Sequence, residues 1–276
     1  MSIKICLDAG HFGKYNQSPV CPDYYESERM WLLTNKLAKA LRQMGMEVST
    51  TRNNPDKDLS LIKRGQKSRD HDLLLSLHSN AAAREDADHV VLFVPVKKEN
   101  KEVHEISLRL AKRLAPLLGE IMGVKEKNYR IASVKSERDR DGNGKMDDDY
   151  YGVLHGASTV GTPALIIEHS FHTNENAARW LMDEENLEKL AYAEAEAIAD
   201  FFKLEKPVFR VQVGAYTVKA NAEKMAKKLK AAGFDCFVKS DKDYYRVQTG
   251  TFTSRLNAEK HAKDLTEKGF SAIIKR

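Results

Sequence analysis

Leu73-Leu74-Leu75-Ser76-Leu77 is a short apolar run that ends abruptly in His78, Ser79 and Asn80. It is long enough for a strand buried on both faces and too short for a typical helix. Strands of that kind belong to parallel sheets whose two faces are covered by helices. In open sheets of this type, ligands bind just beyond the carboxyl ends of the strands, where His78 stands. A lone histidine in such a place is more often a hydrogen-bonded structural residue than a ligand, so its partners decide its role.

The rest of residues 1–204 alternates in the way a parallel α/β sheet requires. Ile3–Asp8 is strand-like and runs into Ala9-Gly10-His11-Phe12-Gly13, a turn that puts a second histidine at a strand end. After a loop with Pro19, Pro22 and several tyrosines, Met30, Leu33, Leu37, Leu41 and Met44 recur at helical steps. Ser27 is the expected N-cap of that helix and Gly45 its stop. Glu47–Arg52 reads as a strand, Leu59–Arg69 as a helix, His89–Val94 as a strand and Glu102–Met122 as an amphipathic helix. An irregular charged stretch follows. Pro163–Glu168 then reads as a buried strand ending in an acid, and Glu175–Lys203 as one long helix capped by Thr173 or Asn174.

Beyond a minimal linker at Lys203–Pro207 the chain repeats itself. Phe209-RVQVGAYTVKANAEKMAKKLKAAGFDCFVK aligns with Tyr245-RVQTGTFTSRLNAEKHAKDLTEKGFSAIIK. Each copy reads strand, turn, helix, glycine, strand. Two such halves predict one small α+β domain at 207–276, a ferredoxin-like four-stranded sheet with two helices on one face. This domain is basic, with 15 Lys+Arg against 7 Asp+Glu, whereas residues 1–206 hold 30 against 33. The asymmetry points to a polyanionic or wall-like partner, with a lysine-rich solvated helix face as the bland alternative. An RNA-binding module of the same topology is the rival, but its aromatic strand signature is missing, so no nucleic acid is expected.

No run reaches the ~18 apolar residues of a membrane span, so no membrane insertion is expected. The three cysteines, Cys6, Cys21 and Cys236, are odd in number and widely spaced, which excludes a disulfide framework or a CxxC metal site. The start, MSIKICLDAGH, lacks the apolar core of roughly 7–15 residues that a signal peptide needs. The expectation is a protein made in a reducing cytoplasm without a signal peptide. Nothing in the sequence addresses oligomeric state.

The polar ends of the predicted elements supply His11, Glu28, His78 and Glu168. Two histidines and a glutamate are the protein ligands of a catalytic zinc that keeps a fourth position open for water, whose pKa it lowers to about 7. A second, non-ligating glutamate is what a zinc hydrolase needs to accept and return a proton. The set is scattered in sequence, so spacing by itself is a weak signal.

The pieces IKICLDAGH, the helix start at Glu28, VSTTR with LSLIKR, LLLSLHSNAA and PALIIEHSFHTN occur in the order of a known family. Residues 3–204 resemble the zinc-dependent N-acetylmuramoyl-L-alanine amidases of the Amidase_3 family. The resemblance implies Zn2+ held by His11, Glu28 and His78, Glu168 as the catalytic acid–base, and hydrolysis of the amide between N-acetylmuramic acid and L-alanine in peptidoglycan. Two features depart from the pattern. His-Phe-Gly stands where His-Gly-Gly is usual, and the loop before Glu28 also holds Glu26, a candidate ligand two residues earlier. The apolar spacing to Leu33 and Leu37 favours Glu28. His169 and His172, beside the catalytic strand end, are expected in the cleft or the structure rather than on the metal.

Residues 207–276 resemble a SPOR (sporulation-related repeat) domain. That resemblance implies binding of glycan strands through the sheet face, with Gln212, Tyr216, Tyr245, Arg246, Gln248 and Phe252 as candidates. With no signal peptide, such an amidase is expected to be a phage endolysin that reaches the wall at lysis, with a mother-cell autolysin of sporulation as the alternative. A wall- or nucleic-acid-binding protein with an inactive amidase body is the non-enzymatic alternative.

One further motif lies in the irregular stretch. Asp139, Asp141 and Asn143 occupy the first, third and fifth places of an EF-hand-type loop, with Gly144 at the turn and Asp147 at the ninth place. The twelfth place, normally glutamate, is Tyr150. The expectation is Ca2+ held by Asp139, Asp141, Asn143 and Asp147, against a solvated acidic loop.

Overall fold

The buried leucine run is the third of four parallel strands that form the body of a six-stranded sheet. The structure, a computed structural model, describes residues 2–124 and 129–276. It divides into two compact units, Met1–Leu204 and Glu205–Arg276.

The elements of the first unit are β1 (Lys4–Ala9), α1 (Glu26–Gln43), β2 (Glu47–Thr50), α2 (Leu61–Gln66), β3 (Leu73–Asn80), β4 (Val90–Phe93) and α3 (Lys101–Ile121). They continue with β5 (Tyr129–Ala132), α4 (Gly152–Thr159), β6 (Ala164–Phe171), α5 (Glu175–Met182) and α6 (Glu184–Phe201). The sheet order is β2-β1-β3-β6-β4-β5. β2, β1, β3 and β6 run parallel, and β4 turns antiparallel to β6. Leu73, Leu74, Leu75 and Leu77 are fully buried, as a strand covered on both faces requires. Among the described residues, no helix is long and apolar enough to cross a membrane.

Helix α1 buries Met30, Leu33, Leu37 and Leu41 on one stripe. It begins at Glu26 rather than after Ser27, and its N-cap residue is Tyr25. Ser27 Oγ serves the preceding loop instead, donating to Gly13 O at 2.6 Å and accepting from Tyr15 N–H at 2.8 Å. The helix expected over Glu175–Lys203 is two helices. Asp183 is extended (φ −76°, ψ 119°), and its side chain accepts from Glu185 N–H and Asn186 N–H, capping α6 and ending α5. The charged stretch expected to be irregular contributes β5 and leads into α4.

Helices α2 and α4 meet backbone to backbone. A Cβ on Gly65 would collide with Val153 O, and one on Gly156 with Ile62 O. That contact seats α4 beside the carboxyl edge of the sheet, where Val153 lines a pocket with His11 and His78.

The second unit comprises β7 (Phe209–Tyr216), α7 (Lys219–Ala231), β8 (Phe237–Asp241), β9 (Tyr244–Phe252), α8 (Arg255–Glu267) and β10 (Ile273–Lys275). Its sheet is antiparallel in the order β10-β7-β9-β8. Ala222 and Leu229 of α7, and Ala258 and Leu265 of α8, pack with Phe209, Val211 and Val247 into a separate core. This is the two-fold repeated unit that the sequence repeat predicts.

Candidate active site

Strands β1, β3 and β6 end at the same edge, and each delivers one polar group there. Past the end of β1, His11 has φ +55°, a left-handed conformation uncommon for a residue with a side chain and typical of functional positions. Gly10 precedes it for a packing reason: a Cβ there would stand 2.6 Å from the His78 ring and 2.7 Å from Leu77 O. Two buried arginines hold this turn. Arg64 donates to Ala9 O and His11 O, each at 3.0 Å, and Arg52 donates to Ala9 O at 3.2 Å and Pro55 O at 2.8 Å.

The glutamate that joins the histidines is Glu26, not the expected Glu28. Glu26 is 1 % exposed; its Oε1 lies 2.9 Å from His78 Nδ1 and its Oε2 3.2 Å from His11 Nε2. The ligand atoms of His11, Glu26 and His78 all fall within 4.8 Å of one another. Glu28 points away, with its side chain 45 % exposed and 3.9 Å from Lys14 Nζ. The physical reason is helical phase: residues two apart on a helix project to nearly opposite sides. Glu26 lies in step with Met30, Leu33 and Leu37 on the buried stripe, so the sequence did contain the signal. Ser79 N–H donates to Glu26 Oε1 at 3.1 Å and Asn16 Nδ2 donates to Oε2 at 2.7 Å, which fixes the carboxylate.

His78 is oriented from behind. Its Nε2 lies 3.1 Å from Ser76 Oγ, and Ser76 Oγ donates to Asp8 Oδ2 at 2.7 Å. Asp8 is fully buried and also accepts from Thr51 Oγ1 at 2.6 Å, with Arg64 Nη1 at 3.4 Å. The network places a proton on Nε2 and turns Nδ1 toward Glu26. Carboxylate-linked relays of this kind orient metal-binding histidines.

Glu168 is the register neighbour of His78 across β3 and β6. Just past it the register shifts, with one extra residue on β6 and Ser170 at φ +59°. Such a bulge re-aims a strand end. Glu168 Oε2 is enclosed and has no hydrogen-bond partner. Burial pushes the carboxyl up to about 7, with His78 opposing and Glu26 reinforcing the shift. Burial also works against ionisation of Glu26, but His11 and His78 outweigh it and hold Glu26 well below the usual carboxylate range. For His78, burial lowers the pKa and Glu26 and Glu168 more than compensate, raising it to about 9. This concentration of negative charge around two imidazoles fits a divalent cation, and two histidines with one carboxylate are a zinc donor set.

His169 and His172 do not join the group. His169 bridges His78 O (3.0 Å) and Glu194 Oε1 (2.6 Å), tying β3 to α6. His172 lies with Nδ1 2.9 Å from Ser79 O and stacks on Tyr24. Phe12, bulkier than the glycine of the family pattern, lines the pocket beside His11 with Tyr15.

Of the calcium candidates, Asp139 and Asp141 come together with Asp148 rather than with Asp147, and Asn143 Nδ2 donates to Asp141 Oδ2 at 2.8 Å. Asp139 accepts from Gly142 N–H and Gly144 N–H, and Asn143 Oδ1 from Lys145 N–H, so these side chains bond the loop's own backbone.

In the second unit, Gln212, Gln248 and Arg246 alternate with the core residues Val211 and Val247, but Gln212 and Gln248 are only 5 % and 6 % exposed. Tyr216, Tyr245 and Phe252 instead pack against the core under α7 and α8. Directly paired residues share a face, and Ile273, Gln212, Gln248 and Phe237 form one row across four strands. Ile273 and Phe237, overlooked in the sequence, are 48 % and 51 % exposed at its two ends.

The mostly parallel α/β sheet thus carries a His–Glu–His group and a raised glutamate at its carboxyl edge, an arrangement suited to hydrolysis. Residues 5–200 match the N-acetylmuramoyl-L-alanine amidase family Amidase_3, and residues 205–276 match the SPOR domain. The chain belongs to the Amidase_3 family. It is 27 % identical over 249 residues to the N-acetylmuramoyl-L-alanine amidase CwlM of Bacillus licheniformis, covering 86 % of this chain and 84 % of that protein. A sporulation-specific N-acetylmuramoyl-L-alanine amidase of Bacillus subtilis (strain 168) is 35 % identical over 80 residues, 28 % of this chain and 31 % of that one. Among solved structures, an N-acetylmuramoyl-L-alanine amidase from Clostridium difficile 630 shares the fold with TM-score 0.59 at 20 % identity, covering 73 % of this chain and 97 % of that one. The catalytic domain of CwlV from Bacillus (Paenibacillus) polymyxa var. colistinus does so with TM-score 0.56 at 18 % identity, covering 74 % and 99 %.

Proposed function

We propose that the protein is a zinc-dependent peptidoglycan amidase in which His11, Glu26 and His78 hold the metal and Glu168 moves the proton. The observation that carries this reading is the convergence of the three ligand groups within 4.8 Å beside the register partner of His78. Bound there, zinc would acidify water and polarise the scissile carbonyl. Glu168 accepts the proton of the attacking water and returns it to the departing amine nitrogen of L-alanine. A carboxyl raised to about 7 suits both halves of that task near neutral pH. The wall of the pocket, Phe12, Tyr15, Leu59, Leu61 and Val153, offers apolar contact to the substrate.

The SPOR domain is proposed to hold the enzyme on peptidoglycan glycan strands. The Ile273–Gln212–Gln248–Phe237 row supports it through its half-exposed apolar ends, Ile273 and Phe237, on which sugar faces can pack, and Arg246 beside the row adds a donor.

Incubation with purified peptidoglycan tests the chemistry. New L-alanine amino termini, lost on chelation and restored by zinc, are expected. New reducing sugars without new amino termini would assign a different bond. Two settings suit the enzyme, phage-driven host lysis and sporulation. The sporulation-specific relative favours the second, and expression timing in the host separates them.

A further inference from the structure

A second group of ligand-type side chains lies outside the hydrolytic centre. Glu99, on the turn between β4 and α3, Asp148, just before α4, and His155, on α4, bring their ligand atoms within 4.8 Å of one another. His155 Nδ1 is 2.7 Å from Glu99 Oε1 and 3.8 Å from Asp148 Oδ1. Unlike exposed acidic clusters, this one is enclosed: Asp148 is 1 % and His155 3 % exposed, and the Glu99 side chain 8 %.

What singles it out is where the polar atoms point. Glu99 Oε1, Asp148 Oδ1 and His155 Nδ1 are buried, and none has a hydrogen-bond partner. His155 and Glu99 form a close ion pair, which favours the protonated imidazole. The second oxygen of each carboxylate is already committed. Glu99 Oε2 accepts from Asp149 N–H at 2.8 Å, and Asp148 Oδ2 from Arg140 N–H and from Asp141 N–H at 3.3 Å. Backbone amides thus anchor both carboxylates and leave one oxygen of each, with one imidazole nitrogen, aimed at a common point. Buried polar atoms left unpaired are costly, and three facing each other are costlier still.

A protonated His155 would leave two buried carboxylates sharing one positive charge. A divalent cation would balance both and satisfy all three orphaned atoms. Crowding of negative charge also shows in Asp149 next door, whose carboxyl is pushed up to about 9 by burial and by Glu99.

We propose that Glu99, Asp148 and His155 form a second divalent-metal site, structural in role and suited to zinc. An imidazole with two carboxylates is a donor set zinc accepts, whereas calcium and magnesium prefer oxygen alone. The site ties three separate segments together. Through His155 it fixes α4, whose Val153 walls the hydrolytic pocket, and through Asp148 it anchors the Asp139–Asp141 loop.

The test uses the full chain, stripped of metal, reloaded with zinc and dialysed, with zinc counted by mass spectrometry and folding checked by circular dichroism. Wild type should retain two equivalents, His155→Gln one and Glu26→Gln one. The Glu26→Gln protein should also bind Co2+ with visible absorption bands that the Glu26→Gln/His155→Gln protein lacks. A folded Glu26→Gln protein that binds neither zinc nor cobalt overturns the second site, leaving the cluster a protonated histidine with two carboxylates. Should the variants not fold, the wild-type count decides: two equivalents support the site, and a single equivalent whose removal abolishes wall lysis overturns it. A single equivalent that survives Glu26→Gln and vanishes in His155→Gln would support this site and sink the assignment of the first.

Discussion

Glu26 Oε1 stands 2.9 Å from His78 Nδ1, joining the first turn of α1 to the end of β3 across 52 residues of chain. Glu28, one step further along the same helix, faces Lys14 and solvent. Glu26→Gln should therefore lose zinc at the hydrolytic centre and lose wall lysis. Glu28→Gln should keep both. Retained lysis in Glu26→Gln, measured as turbidity loss of a wall suspension, would return the ligand role to Glu28.

Glu168→Gln should fold and bind zinc as wild type does, since Glu168 is outside the ligand group. Its rate should fall by about 10²–10⁴-fold, the usual contribution of a general acid–base. Single-turnover release of L-alanine amino termini measures it. A loss of under tenfold would remove Glu168 from the proton path.

Ser76→Ala tests the relay from His78 to Asp8. The hydroxyl is the only described link between His78 Nε2 and Asp8 Oδ2. Its removal should weaken zinc binding by about 10–100-fold, the typical cost of losing an outer-shell partner. Competition against a chromophoric chelator reads the affinity, and an unchanged value would show that His78 is oriented by packing alone.

Gly156→Ala should lower stability by about 1–3 kcal/mol or more, because overpacking a close contact forces the backbones apart. Its Cβ would meet Ile62 O at the crossing of α2 and α4. Denaturant unfolding gives the number.

In the SPOR domain, Phe237→Ser with Ile273→Ser should abolish pull-down by insoluble peptidoglycan while leaving the melting temperature nearly unchanged, since both side chains are half exposed. Tyr245→Ala should do the reverse, lowering the melting temperature through lost core packing. Binding that survives the double substitution would move the ligand to another face.

Much was legible before any tertiary information, for a common physical reason: it is written in local periodicity. The leucine run had to be a doubly covered strand, so His78 had to stand at a sheet edge. The Pro163–Glu168 run placed Glu168 at the end of a second such strand, and the 209/245 repeat required a two-fold α+β unit. Even Glu26 was readable, since it falls in phase with Met30, Leu33 and Leu37; a family register two residues further on outweighed that phase.

Other features were settled by contacts between distant segments, which no local pattern encodes. The Asp183 cap broke a continuous helical pattern because α5 and α6 each found its own packing. Register shifts around Val211, Gln212 and Gly214 upset the alternation of β7, so counting residues could not assign Tyr216 to the core. Glu99, Asp148 and His155 carry no motif, and only the docking of α4 against the β4–α3 turn brings them together. The sequence by itself determined the sheet, its edge and the chemistry delivered there. The tertiary structure decided which carboxylate met the histidines and which buried charges were left facing one another, because burial and orientation of a side chain are set by everything packed around it.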